Sequence, residues 1–448
     1  MTAEVAVMNK LAIALAADSA VTITTEQGQK VYNSANKLFT LSKFAPVGLL
    51  LYNATEINGI PLEVVIKEFR EQLGNKRFKE LSSYVDAFWR FLEKGPPITA
   101  SSRQQNFERL FLMALREIYF RALRIRINEE VPESDFNTYL LRAVEELSDV
   151  AAKVGKMGSL SHVKWEVLYS QWDFIKEVHK HVREKFGEEH ELAEIKEELS
   201  ASVERLSALL IFSNYRLDGY TGVVIAGFGD SEYFPSLFQF VSDGFIPCGL
   251  RRAGPETDVI GRKNDISLNA FAQREMTQVF MEGIDQENWN FIRTSLSGIF
   301  NGLPEVIAKH LGVDKEDQKI KDLSKALKDT LRQFYGDLKD HTKEKFTDPV
   351  LEAIRHLEKN DLASMAESLV AITALKRRVT LGAETVGGPI DVAVISKGDG
   401  FIWIKRKHYF DIELNRSFMQ RYLPVPQPGD EHGQTQRVRA PKSLPRRR

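Results

Sequence analysis

A single cysteine, Cys248, serves 448 residues. A lone thiol cannot close an intrachain disulfide, so nothing points to an oxidising compartment, and with no nucleophile motif around it Cys248 reads as a buried, inert thiol. Long apolar runs are also missing: no stretch approaches the roughly eighteen residues that a membrane-spanning helix needs. Leu11 to Ala17 comes nearest to a signal-peptide core, but it is short, alternates, and is closed by Asp18. Charge of one sign is not in excess, because 61 Lys and Arg offset 62 Asp and Glu for a formal net charge of -1. That balance excludes bulk attraction to nucleic acid. With 43% hydrophobic and 27% charged residues, the composition is that of an ordinary globular protein, expected in the cytoplasm with no membrane and no nucleic-acid partner. Metal and nucleotide motifs are wanting too. His179 and His181 are two apart, on different faces of a helix. Gly227-Phe228-Gly229 lacks the third glycine of a dinucleotide turn and is followed by Glu232. Neither a cofactor nor a metal is expected.

What is present begins at the second residue. An initiator methionine is normally removed ahead of a small side chain, and Thr2 is small enough that processing is expected to leave a free α-amine and a hydroxyl on one residue. A hydroxyl is a poor nucleophile until a base takes its proton, and a threonine with its own amine supplies both. A free α-amine titrates at about 8 and a lysine at about 10.4, so at pH 7 roughly a tenth of the amine is neutral against less than about a thousandth of a lysine. The amine is therefore the expected base. A lysine ammonium beside it would lower its pKa and favour the developing alkoxide, and Lys37 is the candidate if the fold returns it to Thr2.

The local pattern permits that return. Between Ala3 and Ala17 the larger apolar residues fall on odd positions, Val5, Val7, Leu11, Ile13 and Leu15, which is the period of strands. Asn9-Lys10 is a two-residue turn candidate, so Thr2 and Asp18 are expected side by side at the open end of a hairpin. Lys37 to Leu41 and Pro46 to Asn53 read as a second pair, with Lys37 starting a strand beside the first two, and the polar stretch Thr24 to Asn33 reads as a loop.

Thr2, the hairpin, Asp18-Ser19 and Lys37-Leu38-Phe39 together resemble the opening of a proteasome β-type subunit, including the simpler bacterial two-component form, within the N-terminal-nucleophile (Ntn) hydrolases. The resemblance returns at Leu206 to Phe212, Gly222 to Gly229 and Phe234 to Gly244, and again from the Leu362–Leu375 helix pattern through Glu384 to Arg406. It implies an α+β fold, a four-layer α-β-β-α sandwich of two antiparallel sheets between helices, with no cofactor. It further implies Thr2 as nucleophile, Asp18 paired with Lys37, Lys37 tuning the amine, and Glu384 as a carboxylate near the amine. A backbone oxyanion donor is implied around Asn53-Ala54, with Ser19 among the substrate-facing residues. The chain departs from the family at Ala20 and Gly387, where an arginine and a serine are customary, and Val259 to Lys263 lacks the family's Gly-Ser-Gly.

About half the chain carries this resemblance. One domain is expected over 2–423, interrupted by amphipathic helical insertions at 84–188 and 285–349, the second with Leu323, Leu327, Leu331 and Phe334 on one face. Residues 424–448, proline-rich and ending in three arginines, read as a disordered basic tail. Three functions stay open: a threonine peptidase acting on peptides or proteins through an acyl-enzyme, an amidase on a small molecule, and an inactive scaffold subunit. The first implies a homo-oligomer, a ring of six or seven in the family's manner, with an ATP-driven unfoldase as a further partner.

Overall fold

Strand alternation starts the chain, and the computed structural model describes residues 2–25, 28–128, 135–160, 197–314, 316–380, 386–411 and 413–415. Ala3–Asn9 (β1) and Ala12–Ala17 (β2) pair antiparallel around Lys10 and Leu11, one residue beyond the expected turn. The Asn9 side chain accounts for the shift, since its Oδ1 accepts the backbone N–H groups of Leu11 at 2.9 Å and Ala12 at 3.3 Å. Val21–Thr25 (β3) and Gly28–Tyr32 (β4) form a hairpin across most of the stretch expected as loop. The β-branched run from Val21 to Thr25 favours extended backbone despite its polarity.

There follow Leu38–Thr40 (β5), Val47–Asn53 (β6), the short Glu56–Ile57 (β7) and Ile60–Pro61 (β8), then helices Leu62–Leu73 (α1), Leu81–Lys94 (α2), Ala100–Ile127 (α3), Phe136–Val154 (α4) and Glu197–Phe212 (α5). Strands Thr221–Gly227 (β9), Ser236–Ile246 (β10), Gly249–Val259 (β11) and Ile266–Ala272 (β12) come next. Helices Glu275–Glu282 (α6), Gln286–Leu311 (α7), Gln318–Thr342 (α8), Asp348–His356 (α9) and Lys359–Val379 (α10) precede a last hairpin, Asp391–Ser396 (β13) and Gly400–Lys405 (β14).

The strands make two antiparallel five-stranded sheets, one ordered β12-β1-β2-β13-β14 and the other β11-β10-β9-β6-β5. The expectation that the Lys37 strand runs beside the first hairpin is corrected here. β13 occupies the free side of β2, and β5 pairs with β6 at the edge of the second sheet.

Both faces of the first hairpin are covered. Ala3, Val5 and Val7 of β1 and Ala12, Ala14 and Ala16 of β2 pack with Leu362, Ala366, Leu369 and Val370 of α10. Ala6, Met8, Ile13, Leu15 and Ala17 point the other way, against Leu50, Tyr52, Val224 and Ala226 of the second sheet. The odd positions of β1 and of β2 thus face opposite sides, because the register pairs Val5 with Ala16 and Ala6 with Leu15. The outer face of the second sheet, through Leu49, Leu51, Val223 and Ile225, packs against Ile66 of α1 and Tyr84 and Phe88 of α2.

Helix α2, which overlaps the start of the expected 84–188 insertion, is therefore part of the second sheet's own core. Helices α3, α4 and α5 form a separate cluster around Phe111, Ile118, Tyr139, Leu147 and Leu210. Arg251 on β11 ties that cluster to the second sheet. Its buried guanidinium pairs with Asp243 on β10 and donates to the carbonyls of Ile211 (2.7 Å), Leu210 (3.2 Å), Ser213 (3.2 Å) and Tyr215 (2.6 Å). In the 285–349 region α7 and α8 form an antiparallel hairpin, with the Trp289 and Tyr335 rings 6.1 Å apart. Leu331 is buried there, whereas Phe334, expected on the same face, is 45% exposed.

Residues Met1–Arg406 make one compact unit and Lys407–Arg448 a second, whose described part includes a single turn of 3-10 helix at Glu413–Asn415. Residues 161–188 of the first expected insertion, with His179 and His181, and the tail at 424–448 lie outside the described residues. Among the described residues, no helix is long and apolar enough to cross a membrane.

Candidate active site around Thr2

Thr2 lies one residue ahead of β1, at the edge of the space between the sheets, and is buried. Its carbonyl accepts the backbone N–H of Gln273 at 3.2 Å, just past the end of β12, and the Gln273 side chain accepts from Arg377 of α10 at 2.7 Å. Its hydroxyl does two things at once. It accepts the backbone N–H of Asn53 at 3.1 Å and donates to Glu4 Oε2 at 3.0 Å. Asn53 ends β6 with φ of 62°, a left-handed conformation that asparagine tolerates better than most residues. The adjacent Ala54 N–H is engaged elsewhere, by the carbonyl of Tyr220 at 3.3 Å.

Asp18, just beyond β2, is fully buried and collects backbone donors. Ala3 N–H reaches Oδ1 at 3.1 Å, while Ala20 and Gly387 reach Oδ2 at 3.2 and 3.0 Å. At the two places where the resemblance leads one to expect side chains, Ala20 and Gly387, the chain thus uses peptide groups. Lys37 completes the carboxylate's shell, hydrogen-bonded to Oδ1. Its own carbonyl accepts from Leu51 at 2.8 Å, which fixes the lysine at the rim of the second sheet, and its ammonium crosses between the sheets. The same ammonium lies 3.2 Å from Glu4 Oε1, and Lys37, Asp18 and Glu4 are all fully buried.

Glu4 was not singled out by sequence reasoning, although its position carries a signal. It is the one charged residue in β1, two residues from Thr2 and so on the same side of an extended chain. Burial pushes its carboxyl from 4.5 up to about 8; the Lys37 ammonium pulls it down, the Asp18 carboxylate raises it further, and the bond from Thr2 lowers it. Tyr52, on the facing strand, is pushed up to about 12, mainly by burial, and stays neutral.

Thr2, Asp18, Lys37 and Asn53 are therefore brought together, with Glu4 added to them. Ser19 is turned aside, its hydroxyl donating to the carbonyl of Pro389 at 2.5 Å. Glu384 lies outside the described residues. Cys248 is half-buried, and burial raises its thiol to about 11, so it offers no thiolate near neutral pH. Among the described residues no three His, Cys, Asp or Glu side chains gather as metal ligands.

Chemically, the arrangement holds one hydroxyl between a backbone donor and a carboxylate whose other oxygen faces a buried cation, in a region of low dielectric. In comparisons with known proteins, no family model matches the chain and no curated protein matches it.

Proposed function

We propose that this chain is an N-terminal-nucleophile hydrolase of the proteasome β type, a cytoplasmic threonine peptidase that cleaves peptide bonds through an acyl-enzyme on Thr2. The observation that carries the reading is the Thr2 hydroxyl, held between the Asn53 N–H and Glu4, with a lysine bridging Glu4 to Asp18. The layering supports it: α10 covers one sheet, α1 and α2 cover the other, and an apolar cluster lies between the sheets, as a four-layer α-β-β-α sandwich requires.

In this reading removal of Met1 frees the Thr2 amine. The hydroxyl attacks the substrate carbonyl, the Asn53 N–H is aimed where negative charge develops, and Lys37 favours the alkoxide. Water then releases the acyl group. A homo-oligomer, as a ring, and an ATP-driven unfoldase belong to this reading as partners. The second reading, an amidase on a small molecule, is favoured by the burial of Thr2, which is only 1% exposed and suits a closed pocket better than an open peptide cleft. An inactive scaffold would have no use for a lysine buried between Asp18 and the carboxylate that holds the hydroxyl.

The deciding experiment is mass spectrometry of the purified protein before and after a peptide epoxyketone, which closes a ring on a hydroxyl and an adjacent free amine. A chain lacking Met1 with the adduct on Thr2 is the expected result. Retained Met1 with no adduct would turn the reading towards the scaffold. Solution mass then separates the two enzymatic readings, a ring of subunits for the peptidase and a monomer or dimer for the amidase.

A further inference from the structure

The geometry points to Glu4 as the group that takes the proton from the Thr2 hydroxyl, a role that no feature of the N-terminal amine is needed to fill. This rests on Thr2 being the nucleophile. A general base must lie within hydrogen-bond reach of the proton it abstracts, and Glu4 Oε2 already holds that proton's donor at 3.0 Å. The contact is local and rigid: the two residues stand on one side of an extended segment whose neighbours on both flanks, β2 and β12, are hydrogen-bonded to it.

The second carboxylate oxygen faces Lys37, so a single ammonium is shared between Glu4 and Asp18. Asp18 has its charge answered by three backbone N–H groups as well, whereas Glu4 has only the hydroxyl and the lysine. Of the two acids Glu4 is thus the one with fewer donors around it and the one in contact with the hydroxyl. The charged and titratable groups facing it are Lys37 from the second sheet and Asp18 from the end of β2, with neutral Tyr52 on β6.

The steps balance without any added reagent. As the Thr2 Oγ1–carbonyl carbon bond forms, the hydroxyl proton passes to Glu4 Oε2 and the carbonyl π pair moves onto oxygen. Collapse breaks the carbon–nitrogen bond, and the leaving amine takes the proton from Glu4. Water then attacks the ester, giving its proton to Glu4, and as the carbon–Oγ1 bond breaks Glu4 passes that proton to Thr2 Oγ1, which frees the acid and restores the carboxylate.

The test is acylation of the full-length protein by a 3-alkyl β-lactone, which needs a nucleophilic hydroxyl but no amine, followed by mass spectrometry across a pH series. Wild type is expected to form one ester on Thr2, with a rate that rises to a plateau above a midpoint of about 8, where Glu4 loses its proton. Glu4→Gln keeps the acceptor oxygen for the hydroxyl but cannot take a proton. It is expected to slow acylation by about 100-fold or more and to abolish the midpoint, with partial recovery in Glu4→Asp. A Glu4→Gln protein that acylates within about threefold of wild type, or more slowly but with the same midpoint, overturns the proposal and returns the role to the amine. Absence of any Thr2 ester on wild type would instead defeat the nucleophile reading itself, so the two failures are told apart.

Discussion

Thr2 and Glu4 stand two residues apart on one side of the first strand, and the hydroxyl of the first donates to the carboxylate of the second at 3.0 Å. A strand puts every second residue on the same side, so this contact is fixed by the chain's local geometry and needs no loop to form it. Lys37 and Asp18, by contrast, reach the site only because two sheets face each other.

Replacing Thr2 by Ala is expected to abolish turnover and labelling while leaving the fold intact, since one hydroxyl with two hydrogen bonds contributes only about 1–2 kcal/mol. Circular dichroism checks the fold and adduct formation the chemistry; full residual activity would remove Thr2 from the mechanism.

Lys37→Ala leaves two buried carboxyl groups without their cation. Removing one partner of a buried ion pair costs about 3–5 kcal/mol, so urea unfolding should show a loss of that order together with near-complete loss of activity. An unchanged rate would mean that the lysine is purely structural.

The raised carboxyl of Glu4 makes stability depend on pH. The folded chain keeps this proton up to about 8, whereas the same group ordinarily releases it at 4.5. Between those values the folded state binds more protons than the unfolded one, so Glu4's contribution falls as pH rises, by at most about 5 kcal/mol in all. Glu4→Gln cannot titrate and should therefore gain on wild type in melting temperature from about pH 5 to about pH 9. A constant difference between the two proteins over that range would assign the titration elsewhere.

Arg251 holds a different kind of position. Arg251→Met strands Asp243, whose carboxyl burial already pushes upward, and frees four backbone carbonyls. A loss of about 3–5 kcal/mol in urea unfolding is expected. Arg251→Lys should recover little, because a single ammonium cannot reproduce the planar fork.

Gly222 pairs across from Tyr52, and a Cβ there would overlap the Tyr52 ring, which stacks on Phe271 at 5.5 Å. Gly222→Ala should cost about 1–3 kcal/mol as the ring is forced from its place. A variant as stable as wild type would show that the ring has room to move.

The first hairpin was legible because period two survives even where both faces are buried, and Asp18 and Lys37 because charges at the ends of apolar strands stand out. Glu4 carries a signal of its own, as the one charged residue in β1, two residues beyond Thr2. β11 was hidden because Arg251, Arg252, Glu256 and Asp258 make it look like a loop, and it is a strand through pairing with β10 that no local pattern records. The sheet to which Lys37 belongs was likewise unreadable, since it depends on β13, which begins at Asp391, far along the chain, taking the place beside β2.

That same pairing has a bearing on synthesis. The first hairpin leaves the ribosome early, yet Asp18 is not completed until the Gly387 peptide arrives, and β2 has no second neighbour until β13 is made. A nascent chain of about two or three hundred residues therefore carries Thr2, Glu4, Asp18 and Lys37 but lacks the Gly387 peptide and β13 that complete their surroundings. The Asp18 shell is thus assembled only after almost the last strand has been translated, so the two ends of the chain must meet before the Thr2 surroundings take their final form.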